Sequence, residues 1–243
     1  SIFDWQLKDG SDLNQVFRKT MWHLNHYDFS DVDRDLLGDL YEKHLPKEER
    51  KTLGEFYTPV RVVNFILDEL DYTPDNPIEN KTALDPATGS GTFLVQMANR
   101  LVERLENKGT VENDPIEALT IIQENLHGLD INPFAVNIAQ INLVFQIIDV
   151  YKQAKEQDAE FTMDNFKIYK TDSLKQSKDT KISGYHSDTV IQRYQRDKEK
   201  AENIKNGEYD LVVGNPPYVF YNDLPKGQRE KYNQAFETVA YDQ

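Results

Sequence analysis

Apolar positions fall into two regimes along the chain. Over residues 1–51 they are sparse and helically spaced. Val16, Met21 and Leu24 make a loose stripe, and Leu36, Leu37, Leu40, Tyr41 and Leu45 a clearer one. Ser30 or Asp31 suits the cap of that second helix, and Pro46 its stop. From about Thr82 the pattern changes to short apolar runs alternating with longer amphipathic ones. Residues 82–85, 125–130, 166–172 and 209–213 read as strands or strand ends, with helices predicted over 93–105 and 133–150. The continuous β-branched run at 209–213 predicts a buried parallel position. The polar stretch 175–207 reads as a loop plus an exposed helix. Strands alternating with helices predict an α/β fold, a doubly wound and mainly parallel sheet, here preceded by a helical segment over 1–51. No internal repeat interrupts this plan.

Composition narrows the class. The chain has 243 residues, 38% hydrophobic and 29% charged, enough for one α/β core. No run of about 18 apolar residues and no basic-then-apolar start is present, so a cytoplasmic protein without a membrane partner is expected. The absence of cysteine excludes a disulfide framework and any thiolate nucleophile or metal ligand, and no metal is expected. The formal net charge of −14 opposes a surface that grips nucleic acid, since phosphate neutralisation supplies much of that affinity. Basic clusters at 43–51, 167–181 and 226–231 are each mixed with acids or amides and also suit solvated loops.

The candidate chemistry lies where strands end. In doubly wound sheets the ligand sits at the carboxyl ends of the strands, near the switch in strand order. Four predicted strands end in an acid or amide before a turn: Asp85, Asp130, Asp172 and Asn215. The first opens Asp85-Pro86-Ala87-Thr88-Gly89-Ser90-Gly91, whose glycines let the backbone turn tightly and approach a ligand. Position 94 is leucine and no lysine follows, so neither the dinucleotide fingerprint nor a P-loop is present. A glycine pair alone also suits a plain strand-to-helix turn. Asp130, in Gly128-Leu-Asp-Ile131-Asn-Pro133, stands where ribose hydroxyls are bound in dinucleotide folds, and equally suits a helix cap before Pro133. It lies 39 residues beyond Gly91, so residues 100–124 must hold an additional helix or insertion. Asp172 can accept from an adenine amino group, or act as a turn residue.

The sharpest motif is Asn215-Pro216-Pro217-Tyr218. Two consecutive prolines remove two backbone donors and leave their carbonyls as acceptors. With an amide before them and an aromatic after them, the tetrad offers acceptors for an NH₂ group and a face for a flat ring. A proline-rich turn closing a strand is the bland alternative, and it leaves the bracketing amide and tyrosine unexplained.

These segments in this order resemble the amino-methyltransferases that modify DNA. The likeness runs from Gly54 to about Tyr218, roughly two thirds of the chain. Gly54-Glu-Phe-Tyr57-Thr58-Pro59 resembles the family segment that closes over the methionine end of the cofactor. Its place before the glycine loop marks the gamma arrangement. The helix of Leu36–Leu45 resembles methylation subunits of type I systems and the methylation part of single-chain type IIG enzymes. The resemblance implies a Rossmann-like fold over residues 52–243 and S-adenosylmethionine as cofactor. It also implies transfer to the N6 amino group of an adenine in double-stranded DNA.

The implied cofactor contacts are Tyr57, Thr58, Pro59, Asp85, Pro86, Ala87, Gly89, Gly91, Asp130 (ribose), Ile131, Asp172 (adenine), Ser173 and Asn215. Catalysis is assigned to Asn215, Pro216, Pro217 and Tyr218. A seven-stranded sheet and a target-recognition domain are usual in the family, whereas four strands are read here. A longer protein is therefore expected, with specificity or restriction subunits or fused domains as partners. Two alternatives stay open: a release-factor glutamine N5-methyltransferase, whose substrate is also a planar NH₂-bearing group, and an inactive cofactor-binding module serving assembly.

Overall fold

A computed structural model describes residues 58–173 and 188–217, with Gly227, Arg229 and Glu230. The predicted helices of residues 1–51, with Tyr57 and Tyr218, lie outside the described residues. The described chain opens at Thr58-Pro59 and enters α1 (Val60–Glu69). A 3₁₀ turn (Ile78–Asn80) leads to β1 (Ala83–Asp85). Then come α2 (Thr92–Asn107), the short α3 (Thr110–Asn113), α4 (Pro115–Asn125) and β2 (Leu126–Asp130). The pair α5 (Pro133–Gln146) and α6 (Ile148–Gln157) leads to β3 (Lys167–Lys170). Last are α7 (Asp188–Lys205) and β4 (Leu211–Val212).

The four strands are all parallel, in the order β3-β2-β1-β4. The chain steps outward from β1 to β2 to β3, then returns past both to pair β4 with the other side of β1. Right-handed crossovers force the outward helices and the returning helix onto opposite faces. The cores divide accordingly. Ala83, Leu126, Ile168 and Val213 join the large core with apolar residues of α1, α2, α4 and α5, whereas Leu84 and Leu129 meet Ile204 of α7 in a smaller one. In α2, Leu94, Ala98, Leu101 and Leu105 recur at three- and four-residue spacing and are fully buried. Each such leucine contributes about 1.5–3 kcal/mol by leaving water. The change of direction sits between β1 and β4, and that is the switch point where such sheets bind ligands.

Most of the predicted elements form, with four differences. The helix expected over 133–150 breaks at Ile147, where α5 and α6 diverge by 63°. Ile147 adopts φ −106°, ψ 7°, and its N–H reaches back only to Val144. The bend buries Ile147, and α6 then packs on α4 through the buried Val150 and Ala154. The 209–213 run, expected to be buried, forms the edge of the described sheet, and Val212 is 63% exposed. Its register is held from outside the ladder: the Asp210 carboxylate accepts from the Thr82 N–H at 2.8 Å and hydroxyl at 3.1 Å. The third strand is shorter than expected, and the helix in 175–207 is not wholly exposed, since Ala201 and Ile204 are buried. The insertion required within 100–124 is the end of α2 together with α3 and α4. No single helix among the described residues is long and apolar enough to cross a membrane.

Candidate functional site

Parallel strands place all four predicted strand-end residues on one edge of the sheet. The glycine loop between β1 and α2 is stitched to the end of β2 there. Thr88 N–H donates to the Leu129 carbonyl at 2.9 Å, and Gly89 N–H to an Asp130 carboxylate oxygen at 2.8 Å. The other Asp130 oxygen accepts from Asn132 N–H at 2.7 Å, and its carbonyl accepts from Thr171 N–H at 2.8 Å. Asp130 thus ties the glycine loop, the start of α5 and the exit of β3 to one point. The capping alternative goes to its neighbour: Asn132 caps α5 by accepting from Phe134 N–H at 3.0 Å.

The loop's shape depends on its glycines. Gly89 (φ +55°) and Gly91 (φ +93°) both lie in the left-handed region. A Cβ at Gly91 would stand 3.0 Å from that of Ala139 in α5, so the helix packs directly on the turn. A Cβ at Gly89 would meet nothing within 4 Å, leaving open space at the loop. From α5 the buried Asn142 side chain donates to the Ser90 carbonyl at 2.9 Å, closing the loop from behind.

Asp85 ends β1 with its carboxyl 1% exposed, accepting from Ala87 N–H at 3.0 Å. Burial pushes its pKa up to about 7. The Ala87 bond opposes the rise and the nearby Asp130 carboxylate adds to it. Beside Asp85 runs the end of β4: Val213 N–H donates to the Leu84 carbonyl at 2.9 Å, which brings Gly214 and then Asn215 alongside. Asn215 is half-buried and Pro216 and Pro217 are exposed.

On the other flank, Ile131 is exposed, and Asp172 and Ser173 are half-buried just past β3. The Asp172 carbonyl accepts from Lys205 of α7 at 3.2 Å. Thr58 and Pro59 lead into α1, which is fixed on α2 by Arg100. That guanidinium pairs with Asp68 at 2.7 Å and donates to the Asn64 and Tyr72 carbonyls. The structure therefore gathers Asp85, Pro86, Ala87, Gly89, Gly91, Asp130, Ile131, Asp172, Ser173, Asn215, Pro216 and Pro217 at the carboxyl edge. Among the described residues no group of three or more His, Asp or Glu side chains is arranged to hold a metal.

From sequence, Thr88 and Gly128 stand within the quoted motifs without a role, and Asn142 and Gly214 were missed. Gly128 lies inside β2, where a Cβ would come 2.5 Å from the Thr88 hydroxyl. The signal available was a glycine inside a predicted strand, which marks a close approach. Asn142 was findable as an amide in the apolar run of α5.

A parallel sheet with a glycine turn, strand-end carboxylates and an amide-proline segment at its switch point defines a doubly wound α/β protein of the kind that binds ligands at that edge. The chain belongs to the N-6 DNA methylase family, which it matches over residues 32–242. It is 31% identical over 222 residues to the adenine-specific methyltransferase PglX of Streptomyces coelicolor, covering 84% of this chain and 17% of that protein. It is 29% identical over 209 residues to the type I restriction enzyme MjaVII methylase subunit of Methanocaldococcus jannaschii, covering 85% of this chain and 26% of that one. The chain thus spans about a quarter or less of these relatives' length. A nuclease-deletion mutant of the type ISP restriction-modification enzyme LlaGI, solved with a DNA substrate mimic, shares the fold. Its TM-score is 0.57 at 22% identity, covering 87% of this chain and 16% of that one.

Proposed function

We propose that this chain is the catalytic core of a DNA adenine-N6 methyltransferase of a restriction-modification system, using S-adenosylmethionine. One observation carries the reading: Gly214, which leads directly into Asn215-Pro216-Pro217, lies against Asp85 at the root of the glycine loop, across the switch point. A base-handling turn and a cofactor loop must adjoin if a methyl group is to pass between them.

The residues present suit the cofactor. Gly89 leaves open space over the loop, Ile131 offers an exposed apolar surface for an adenine face, and Asp130 and Asp172 carry acceptors for ribose and adenine. Asp85, Pro86, Ala87, Gly89 and Gly91, with Tyr57, Thr58 and Pro59, would hold the methionine end. When bound, S-adenosylmethionine supplies a sulfonium-borne, electrophilic methyl group.

The chain's own residues then handle the acceptor. A duplex shields the adenine amino group by pairing and stacking, so the base must be extruded into the crevice. Tyr218 stacks on the ring, which is worth about 1–3 kcal/mol in single-strand binding systems. The Asn215 side-chain oxygen and the Pro216 carbonyl accept the two amino hydrogens and orient the nitrogen lone pair toward the glycine loop. Positioning and fixed dipoles do this work, without a covalent enzyme intermediate. Double-stranded DNA is the substrate, and specificity or restriction subunits, or further domains of a longer chain, are the partners.

The test uses the intact protein, labelled S-adenosylmethionine and methyl-free genomic DNA, with N6-methyladenine read by mass spectrometry. Asn215→Ala should lower transfer by about 10²–10³-fold, the cost of losing one transition-state hydrogen-bond partner, while cofactor affinity is largely kept. Full activity in that variant would sink the assignment. Label on a release factor with none on DNA would replace it by the glutamine reading.

A further inference from the structure

Gly214 is glycine for a reason that its backbone does not supply. Positive φ among the described residues occurs at Asp71, Gly89, Gly91 and Gly109, not here. What Gly214 lacks is room: a Cβ would lie 2.5 Å from the Asp85 carboxylate oxygen Oδ1, 3.3 Å from its Cγ and 3.5 Å from Pro86 Cδ. The carboxyl cannot easily retreat, because it is buried and the same Oδ1 accepts from Ala87 N–H. On the other side Val213 is buried and bonded to the Leu84 carbonyl at 2.9 Å. Beyond Asn215 the two prolines have fixed φ and absorb little displacement.

We propose that Gly214 is a positioning residue: its missing side chain, seated against the Asp85 carboxyl, sets the separation between the glycine loop and the Asn215 amide. This rests on the reading of Asn215 as the group that handles the target base. An alanine at 214 must retreat from a 2.5 Å approach to ordinary contact, moving Asn215 by about 1 Å. Misplacement of that size costs about 10²-fold in rate when a reaction depends on alignment.

The experiment is Gly214→Ala in the intact protein, alone and in an Asp85→Ser background. Serine is shorter and keeps an oxygen for Ala87 N–H. We expect kcat to fall about 10²-fold in the single variant, with S-adenosylmethionine affinity by calorimetry changed far less. In the Asp85→Ser background the same change should cost only a few-fold more than Asp85→Ser alone. Unchanged kcat in the folded single variant, or equal losses in both backgrounds, overturns the proposal, because a merely structural glycine would lower stability and leave kcat of the folded enzyme unchanged. If the single variant does not fold, recovery of folding and cofactor binding in the double variant supports it, and failure to recover overturns it. A crystal structure of Gly214→Ala gives a readout independent of activity. Displacement of Asn215 from β1 supports positioning even if the wild type ignores DNA, which would sink only the functional reading. An unmoved Asn215 overturns positioning itself.

Discussion

Asp85 is buried and Glu79 half-buried, and the environments of their carboxyls pull in opposite directions. Burial pushes Asp85 up to about 7, so the folded protein holds its proton more tightly than the unfolded chain near 3.8. Between about pH 4 and 7 the native state therefore binds more protons. The Asp85 contribution to stability falls as pH rises through that window and is flat above it. Burial also acts to raise Glu79, but hydrogen bonds from Arg104 at 2.9 Å and Lys108 at 2.8 Å outweigh it and hold the group down to about 2. Its contribution is present above about pH 4.5 and lost as pH falls toward 2. Urea midpoints measured across pH should decline from pH 4 to 7 in the wild type, and Asp85→Asn should flatten that decline. An unaltered slope in the variant would mean that another group titrates there. Sequence supplied the identity of every strand-end acid, because a carboxyl before a turn is a local feature. It did not supply burial or partners: Asp130 proved to be a three-way tie and Asn132 the cap, since both depend on how loops from different strands meet.

Glycines show the same division between elements. The pair Gly89 and Gly91 was legible as a tight turn, yet the two do different work. Gly89 sits in the ordinary left-handed well with open space beside it. Gly91 lies at φ +93°, and its missing Cβ is where α2 and α5 touch, 3.0 Å from Ala139 Cβ and 3.2 Å from Ala139 Cα. Alanine at either position meets backbone strain of about 1–2 kcal/mol, but only at 91 must two helices also move apart. Gly91→Ala should therefore lower urea-unfolding stability clearly more than Gly89→Ala, and the reverse ranking would refute this packing account. Strand and helix identities were readable from period because each buries a face along its own length. The break at Ile147 and the place of β4 at the edge of the described sheet were not. The first is set by α6 packing on α4, and the second by a strand order that no local pattern encodes.

At the scale of the whole molecule, the −14 net charge and the site make different demands. The proposed cofactor contacts are short-range, so long-range charge affects them little. Gripping DNA depends on phosphate neutralisation, which a net charge of −14 opposes. Lys167, which opens one of the basic clusters, stands at the amino end of β3, opposite the site, and is already paired with Glu124. On the proposed function, catalysis and cofactor binding then reside here, while DNA affinity comes from elsewhere in a longer protein or its partners. The 243-residue chain by itself should bind S-adenosylmethionine in calorimetry, with Asn215→Ala leaving that affinity largely intact. In fluorescence anisotropy at physiological salt the same chain should hold duplex DNA no better than about 10⁻⁴ M, the weak end of non-specific binding. Lowering the salt should help little, because a net-negative partner gains no counterion release beyond its few local contacts. Submicromolar binding with a steep salt slope would show that a basic face outside the described residues overrides the overall charge, and would return the grip on DNA to this chain.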